Sequence, residues 1–283
     1  MTINIVGFGY VGGAIGYLCD KNGIEYNVCD PVIKETKGYF TTDVKNLVEH
    51  AEETSKTNFY FVCVPTPSSP SGECDISIVQ SVISTINKHC TTDSHVIIKS
   101  TLVPGTVRKL DNLYKNVSIT ISPEFLREAS YRDDMYYAPF VLIGLSDCEI
   151  HAEAITEIFK KLYVHNSNVE FHIKTYEECE LFKYSLNVYL AMRVWYFNKI
   201  YEIAEKMDID YQEFKPLLRL DSRIGLYGTM VPGPDGKFGF GLGCLPKECR
   251  GMVKLLENLN LDNSVLKQVL AENNKFRQKE KKT

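Results

Sequence analysis

The sequence predicts an α/β domain followed by an all-helical one, and three observations carry that expectation. Short apolar runs alternate with amphipathic stretches through residues 1–174. From Thr175 to Met207 the chain contains neither Pro nor Gly, and these residues crowd instead into 221–246. Strand and helix in alternation imply a parallel sheet with helices on both faces. The candidate strands are residues 3–6, 26–29, 59–64, 95–99, 118–121, 140–143 and 169–173. Between two of them, "DISIVQSVISTINKH" reads as a helix: Asp75 can cap it, and Ile78, Val79, Val82, Ile83 and Ile86 recur at spacings of three and four. The stretch without Pro or Gly predicts one helix of some thirty residues, about 50 Å long, with which a second domain begins. Residues 221–246, "DSRIGLYGTMVPGPDGKFGFGLGCLP", are too rich in Gly and Pro for regular structure, and loops of that length are more often functional than idle. The tail "NNKFRQKEKKT" reads as a solvated end.

Composition narrows the function classes. With 283 residues, 44% of them hydrophobic and 24% charged, the chain has room for about two ordinary domains. A net charge of -4 argues against a sequence-independent polyanion binder, so no nucleic-acid partner is expected. Nine cysteines without a C-x-x-C pair and six histidines without H-x-x-x-H spacing indicate neither a disulfide framework nor a metal site, which suits a reducing cytoplasm. Residues 1–19 carry no charge, but they lack the basic start of a signal peptide and contain five glycines. They read as buried strand, turn and helix, with no membrane partner.

"INIVGFGYVGGAIGYLCDKNG" sets Gly7, Gly9 and Gly12 in G-x-G-x-x-G register after a strand and opening a helix. "YNVCD" follows as a second strand ending in Asp30. The glycines permit a tight turn and close approach of backbone to a pyrophosphate, and the helix start offers unpaired N–H groups. An acid about twenty residues on accepts from ribose hydroxyls and repels a 2′-phosphate, so Asp30 predicts NAD over NADP. The bland alternative is a glycine turn with Asp30 as a surface carboxylate. The fold expected is therefore a Rossmann-like NAD-binding domain (1–174) followed by an all-helical central domain with one long helix (175–283).

Four further segments stand at predicted strand ends or in loops: "VPTP" at 64–67, "KSTLVPGT" at 99–106, "SPEFLREAS" at 122–130 and "FKYSLN" at 182–187. With "GFGYVG" and "CLPK" they resemble, in order and spacing, the motifs of the UDP-glucose/GDP-mannose dehydrogenase family, the nucleotide-sugar 6-dehydrogenases. The resemblance implies a four-electron oxidation of the C6 alcohol of a nucleotide sugar, UDP-glucose first, with two NAD+ reduced per turnover. It makes Cys244 the nucleophile: an aldehyde must gain a nucleophile before it can release hydride, and a thiolate supplies one through a thiohemiacetal and then a thioester. Lys183 and Asn187, four apart and so on one helix face, would bind the oxygen that turns anionic.

Glu124 and Glu128 are also four apart, where Ser122 can cap and Pro123 can open a helical turn. By resemblance both line the site, with Glu128 handling protons during thioester hydrolysis. Thr101 resembles the family's water-positioning threonine, and Glu248 stands where an aspartate helps place a catalytic water. The cofactor set implied is Gly7, Gly9, Tyr10, Val11, Gly12, Asp30, Lys34, Pro65, Thr66 and Thr101. The substrate set is Glu124, Phe125, Leu126, Lys183, Asn187, Arg223 and Gly241, with Arg223 reaching across a dimer interface in some members. Against these roles stand ordinary ones: a solvated helical stripe for Lys183 and Asn187, surface acids for the two glutamates, a surface arginine for Arg223.

Several features depart from the family pattern. "PKE" replaces the usual P-K-D, Leu242 interrupts the glycine pair before Cys244, and Lys199 stands where many members have Glu. The chain also stops before the family's third domain, which helps bind the nucleotide. The expected partners are a nucleotide sugar, a second copy packed through the long helix, and a separate chain if one supplies that domain. Two other readings stay open: an NAD-binding module inactive on its own, and a related two-domain NAD-dependent alcohol or hydroxy-acid dehydrogenase.

Overall fold

The computed structural model describes residues 1–32, 38–69, 72–146, 152–241 and 243–279. Through the first part of the chain, strand and helix alternate as β1 (Thr2–Val6), α1 (Tyr10–Lys21), β2 (Tyr26–Cys29), β3 (Phe40–Thr41), α2 (Val44–Thr54), β4 (Thr57–Val62), α3 (Ser77–His89), β5 (Asp93–Ile98), α4 (Thr106–Leu113) and β6 (Ser118–Ile121). Then come α5 (Tyr131–Tyr136), β7 (Phe140–Leu145), α6 (Ala152–Leu162), β8 (Glu170–Thr175) and the long α7 (Tyr176–Lys206), followed by α8 (Tyr211–Leu218), α9 (Cys244–Asn258) and α10 (Ser264–Gln278). The strands form one sheet in the order β3-β2-β1-β4-β5-β6-β7-β8.

The sheet departs from expectation at two places. β3 has only two residues, in a polar stretch without an apolar run, and it joins the edge through Val28–Phe40 and Cys29–Thr41. β7 runs antiparallel to β6, meeting it at Ile121–Gly144, whereas the other paired strands are parallel. An apolar run predicts a strand but not its direction. Helices cover both faces. Leu47 and Val48 of α2, Val79 and Ile83 of α3 and Leu110 of α4 pack with Val62, Val96 and Ile98 on one side. Ile15 and Leu18 of α1, Met135 of α5 and Phe159 of α6 pack with Ile5, Phe61 and Ile143 on the other. Ile78, expected in the buried stripe of α3, is exposed. Asp75 lies two residues before Ser77 and accepts its N–H at 2.9 Å, satisfying one donor of the first turn.

Two compact units divide the chain. The first comprises Met1–Pro67 and Cys74–Lys183, the second Ser68–Glu73 and Tyr184–Thr283. The expected division at 174/175 falls inside β8, one residue before α7 begins, whereas the first unit extends to Lys183. In the second unit one cluster gathers Phe197, Ala204, Tyr211, Val231, Phe238 and Phe276, and another Ala191, Phe240, Cys249, Leu266 and Val269. The irregular stretch predicted to reach 246 ends at Gly243, because Cys244 opens α9. A helix accepts Pro246 in its first turn, where no N–H is needed.

Within the first unit, Glu180 of α7 is 1% exposed. Its carboxylate accepts the N–H groups of Gly105 at 2.7 Å and Val107 at 3.0 Å, so α7 caps the start of α4. Burial nevertheless pushes its pKa up from the ordinary 4.5 to about 7, against the pull of those N–H groups. A carboxyl that holds its proton more tightly when folded stabilises the fold fully below its unfolded pKa, and that contribution is lost as pH rises through the folded value. Glu180→Gln keeps an acceptor and removes the titration. Urea denaturation over a pH series should therefore show the wild type losing roughly 3 kcal/mol relative to the variant between pH 4.5 and 7. An unchanged slope would contradict this.

Candidate active site

The glycine turn connects β1 to α1, and its three glycines serve different needs. Gly7 has φ of +88°, and a Cβ there would lie 2.8 Å from the Cys63 carbonyl oxygen. A Cβ on Gly12 would lie 2.0 Å from the Gly7 oxygen. Both positions are thus fixed by the chain itself. Gly9 is different: among the described residues a Cβ there would meet nothing within 4 Å. Gly9 caps α1 with no side-chain hydrogen bond, and the first turn carries no acidic residue. Open space above uncapped N–H groups is what a pyrophosphate requires, so this turn fits a dinucleotide. At the end of β2, Asp30 accepts the Phe8 N–H at 2.7 Å and the Val32 N–H at 2.8 Å, binding the second strand to the turn. Lys34 lies outside the described residues.

Two neighbouring loops at the same strand ends are tied together. Thr66 donates its hydroxyl to the Thr101 carbonyl at 3.0 Å, and Ser100 donates to the Val64 carbonyl at 2.7 Å. "VPTP", with Pro65 exposed, and "KSTLVPGT" are thereby one assembly.

The glutamates separate in environment. No helical turn opens at Pro123: residues 122–127 are irregular, and a short 3-10 turn covers Glu128–Ser130. Proline offers a start, but Arg127 and its bonds to Asp134 hold this segment extended toward α5. The side chain of Glu124 is 12% exposed, with one oxygen on the Phe125 N–H at 2.5 Å and the other 3.5 Å from the Lys99 ammonium. Its carbonyl accepts from the Lys183 ammonium. Glu128 is exposed and accepts from the Tyr10 phenol, a contact that raises the Tyr10 pKa. Phe125 packs on Phe140 and Phe182, while Leu126 lies against the α1/α6 side of the core.

In the second unit, Cys244 is exposed at the first residue of α9. Glu248, four residues on, is buried, and its carboxylate accepts the Asn187 amide at 2.6 Å. Gly251 allows that bond. A Cβ there would sit 2.8 Å from the ring of the buried Tyr184, so α9 approaches α7 closely at this point. The loop before Cys244 is held by amides. Asn273 of α10 accepts the Phe240 N–H at 2.7 Å and donates to its carbonyl at 2.8 Å, and Asn198 of α7 accepts the Gly239 N–H at 2.9 Å. Arg277 lies against Gly241, where a Cβ would be 2.4 Å from its guanidinium carbon, and pairs with Asp235 at 2.7 Å. Arg223 is exposed and paired with Asp221 two residues away, as a surface arginine would be. Lys199, the departure noted above, pairs with Glu202 and Glu272 at 3.2 and 3.1 Å. Leu242 lies outside the described residues.

Sequence reasoning passed over Lys99, Asn198 and Asn273. Lys99 did carry a signal, a lysine closing an apolar strand; the two asparagines carried none, because their partners lie 41 and 33 residues away. Among the described residues no group of His, Cys, Asp and Glu is arranged to hold a metal ion, and no helix is long and apolar enough to cross a membrane.

A glycine turn open to a pyrophosphate, an acid closing the second strand and a sheet of this order define an NAD-binding dehydrogenase. The chain belongs to the UDP-glucose/GDP-mannose dehydrogenase family: residues 31–163 match that family's NAD binding domain and residues 177–275 its central domain. It is 30% identical over 302 residues to a UDP-glucose 6-dehydrogenase of Campylobacter jejuni, covering 99% of this chain and 73% of that protein. A GDP-mannose 6-dehydrogenase of Pseudomonas syringae is 26% identical, with coverage of 96% and 68%. The chain spans about two thirds of the length of its relatives from Rickettsia, such as the UDP-glucose 6-dehydrogenase of Rickettsia bellii, 29% identical with 67% of its length covered. In fold it is similar to a UDP-glucose dehydrogenase from Pyrobaculum islandicum, with a TM-score of 0.78 at 24% identity, covering 96% of this chain and 68% of that one.

Asp30→Ala should weaken NAD+ binding by about tenfold or more and narrow the preference over NADP+, since the carboxylate also braces the turn through Phe8. Titration with both dinucleotides measures this, and unchanged preference would place the selecting group elsewhere. Gly251→Val should force α9 off Tyr184, lowering stability by about 1–3 kcal/mol and breaking the Asn187–Glu248 bond. Denaturant unfolding of the variant checks the first effect, and its rate of NADH formation the second.

Proposed function

We propose that this chain catalyses the four-electron, NAD-dependent oxidation of the C6 alcohol of a nucleotide sugar to the carboxylate, with UDP-glucose the first choice, through a thioester on Cys244. The observation that carries this reading lies on α9. Cys244 and Glu248 are four apart and so share a helix face, the thiol exposed and the carboxylate buried on Asn187. A nucleophile beside a fixed carboxylate is what formation and hydrolysis of an acyl intermediate require.

The first-turn N–H groups of α1 and Asp30 would hold NAD+, which when bound would supply the hydride acceptor, a fresh molecule for each of the two oxidations. The first oxidation takes a hydride and the hydroxyl proton from the C6 alcohol and gives the aldehyde. The Cys244 thiolate then adds to that carbonyl, and the oxygen that turns anionic is bound by the Lys183 ammonium and by the second N–H of the Asn187 amide, the first being on Glu248. Loss of the second hydride leaves a thioester. Glu248 places the water that attacks it, and Glu128, exposed to solvent, carries protons to and from the departing thiol. The longer side chain of Glu248, relative to the family's aspartate, reaches Asn187 without a gap at 2.6 Å.

The homodimer expected through the long helix has a surface. Tyr189, Met192, Tyr196, Ile203 and Met207 are exposed at spacings of three, four, seven and four along one stripe of α7 and the residue after it. A second copy covering this stripe with its own gives an isologous dimer, and Tyr196→Arg should shift sedimentation toward monomer.

Cys244→Ala should abolish NADH formation from the aldehyde form of the substrate while leaving NAD+ affinity within a few-fold of wild type. The assays are stopped-flow NADH absorbance and calorimetry, with UDP-glucose, GDP-mannose and UDP-N-acetylmannosamine as the substrate panel. More than about a tenth of the aldehyde oxidation rate surviving in the variant would refute the nucleophile assignment.

A further inference from the structure

Lys99 is 5% exposed, and neither the cofactor turn nor the proposed covalent chemistry uses it. A buried ammonium requires a charged partner and hydrogen-bond acceptors, because leaving it unpaired costs more than most single interactions return. The sheet register supplies both. Ile98 of β5 pairs with Ile121 of β6, and the Ser122 N–H continues the ladder to the Ile98 carbonyl at 2.9 Å. The next residues, Lys99 and Ser122, therefore leave the sheet side by side, and the ammonium donates to the Ser122 hydroxyl at 3.2 Å. Two residues on, Glu124 brings its carboxylate to 3.5 Å. On the other flank the Lys99 N–H bonds the Val62 carbonyl at 2.9 Å, which places Cys63 beside it. The Cys63 thiol is held well above its ordinary pKa by burial, so it brings no negative charge. The ring of Phe159 lies 6.0 Å from the ammonium, and the Tyr163 phenol, near Glu124, is likewise held neutral by burial. Among these neighbours Glu124 is the one anion.

The other end of Glu124 matters as much. With its carboxylate fixed by Lys99 and by the Phe125 N–H, its carbonyl accepts from the Lys183 ammonium, which also lies 5.3 Å from the Phe125 ring centroid. We propose that Lys99 is a positioning residue: its buried ammonium fixes the Glu124 carboxylate, and the Glu124 carbonyl thereby fixes the ammonium of Lys183. Glu124 is then a stationary anion, and proton transfer falls to the exposed Glu128. The inference rests on the proposed function through the role of Lys183.

The test is a cycle of Lys99→Met, Glu124→Gln and the double variant, with Lys99→Arg as the conservative control. Each is read by kcat and KM for the nucleotide sugar, NAD+ affinity by calorimetry, and thermal unfolding. Lys99→Met should lower kcat by about 10- to 100-fold with NAD+ affinity and sugar KM within about twofold, the signature of losing an interaction made in the transition state. The double variant should be no slower than the slower single by more than about threefold, since both changes break one chain of contacts. Lys99→Arg should recover most of the rate. In unfolding, Glu124→Gln should raise the melting temperature of the Lys99→Met protein by removing its stranded carboxylate. If Lys99→Met alone does not fold, the double variant should fold and match Glu124→Gln in rate.

Losses that multiply, an unchanged kcat in Lys99→Met, or a double variant less stable than Lys99→Met would each overturn the proposal. Wild-type protein that oxidises no nucleotide sugar contradicts the proposed function instead. The unfolding cycle, which needs no turnover, then decides whether Lys99 and Glu124 are coupled.

Discussion

Each of the two units depends on a pair of residues spaced along its own part of α7. Glu180 and Lys183 in the first unit stand three apart, as do Tyr184 and Asn187 in the second, so a helix of 3.6 residues per turn sets each pair on one face. Each makes a different contact: Glu180 with the start of α4, Lys183 with the Glu124 carbonyl, Tyr184 with the surface of Gly251, Asn187 with Glu248. The 31 residues of α7 contain neither Gly nor Pro, and a helix without such breaks holds each pair in register. A one-residue insertion between the two members of either pair would turn one against the other by about 100° and separate that pair's contacts.

Each unit has its own mode of polar fixation. At the strand ends a lysine and a glutamate leave the sheet on neighbouring rungs and pair because β5 and β6 are in register. Before Cys244 the loop 239–241 has no strand partner, and side-chain amides take that part, Asn273 closing two bonds on Phe240 as a paired strand would. Both arrangements satisfy buried donors and acceptors that would otherwise penalise the fold. Both hold irregular backbone firmly next to the candidate site residues Glu124 and Cys244.

The parts legible in the sequence were those with local signals. Gly7, Gly9 and Gly12 declare themselves by spacing, and the helix Tyr176–Lys206 by the absence of breakers over its whole length. Most strands appear as apolar runs because a sheet covered on both faces buries nearly every side chain. β3 was illegible because two residues among threonines make no run, and the reversal of β7 because direction depends on tertiary contacts. The motifs pick out Cys244, Lys183 and Asn187 as candidates, and their positions on α9 and α7 follow from the helices. The different surroundings of Glu124 and Glu128 were not legible: identical side chains four residues apart are set apart by burial and by Lys99 and Tyr10, which reach them from other elements. The replacement of P-K-D by "PKE" was legible from sequence, but not that Asn187 meets the longer side chain.

The central claim is that the chain performs two successive oxidations on one carbon and releases a carboxylate. The most direct measurement supplies purified protein with limiting UDP-glucose and excess NAD+, counts NADH by absorbance at completion, and identifies the product by mass spectrometry. The account predicts two NADH per sugar consumed and a uronate product. One NADH per sugar, with an aldehyde or ketone as the end product, would contradict it.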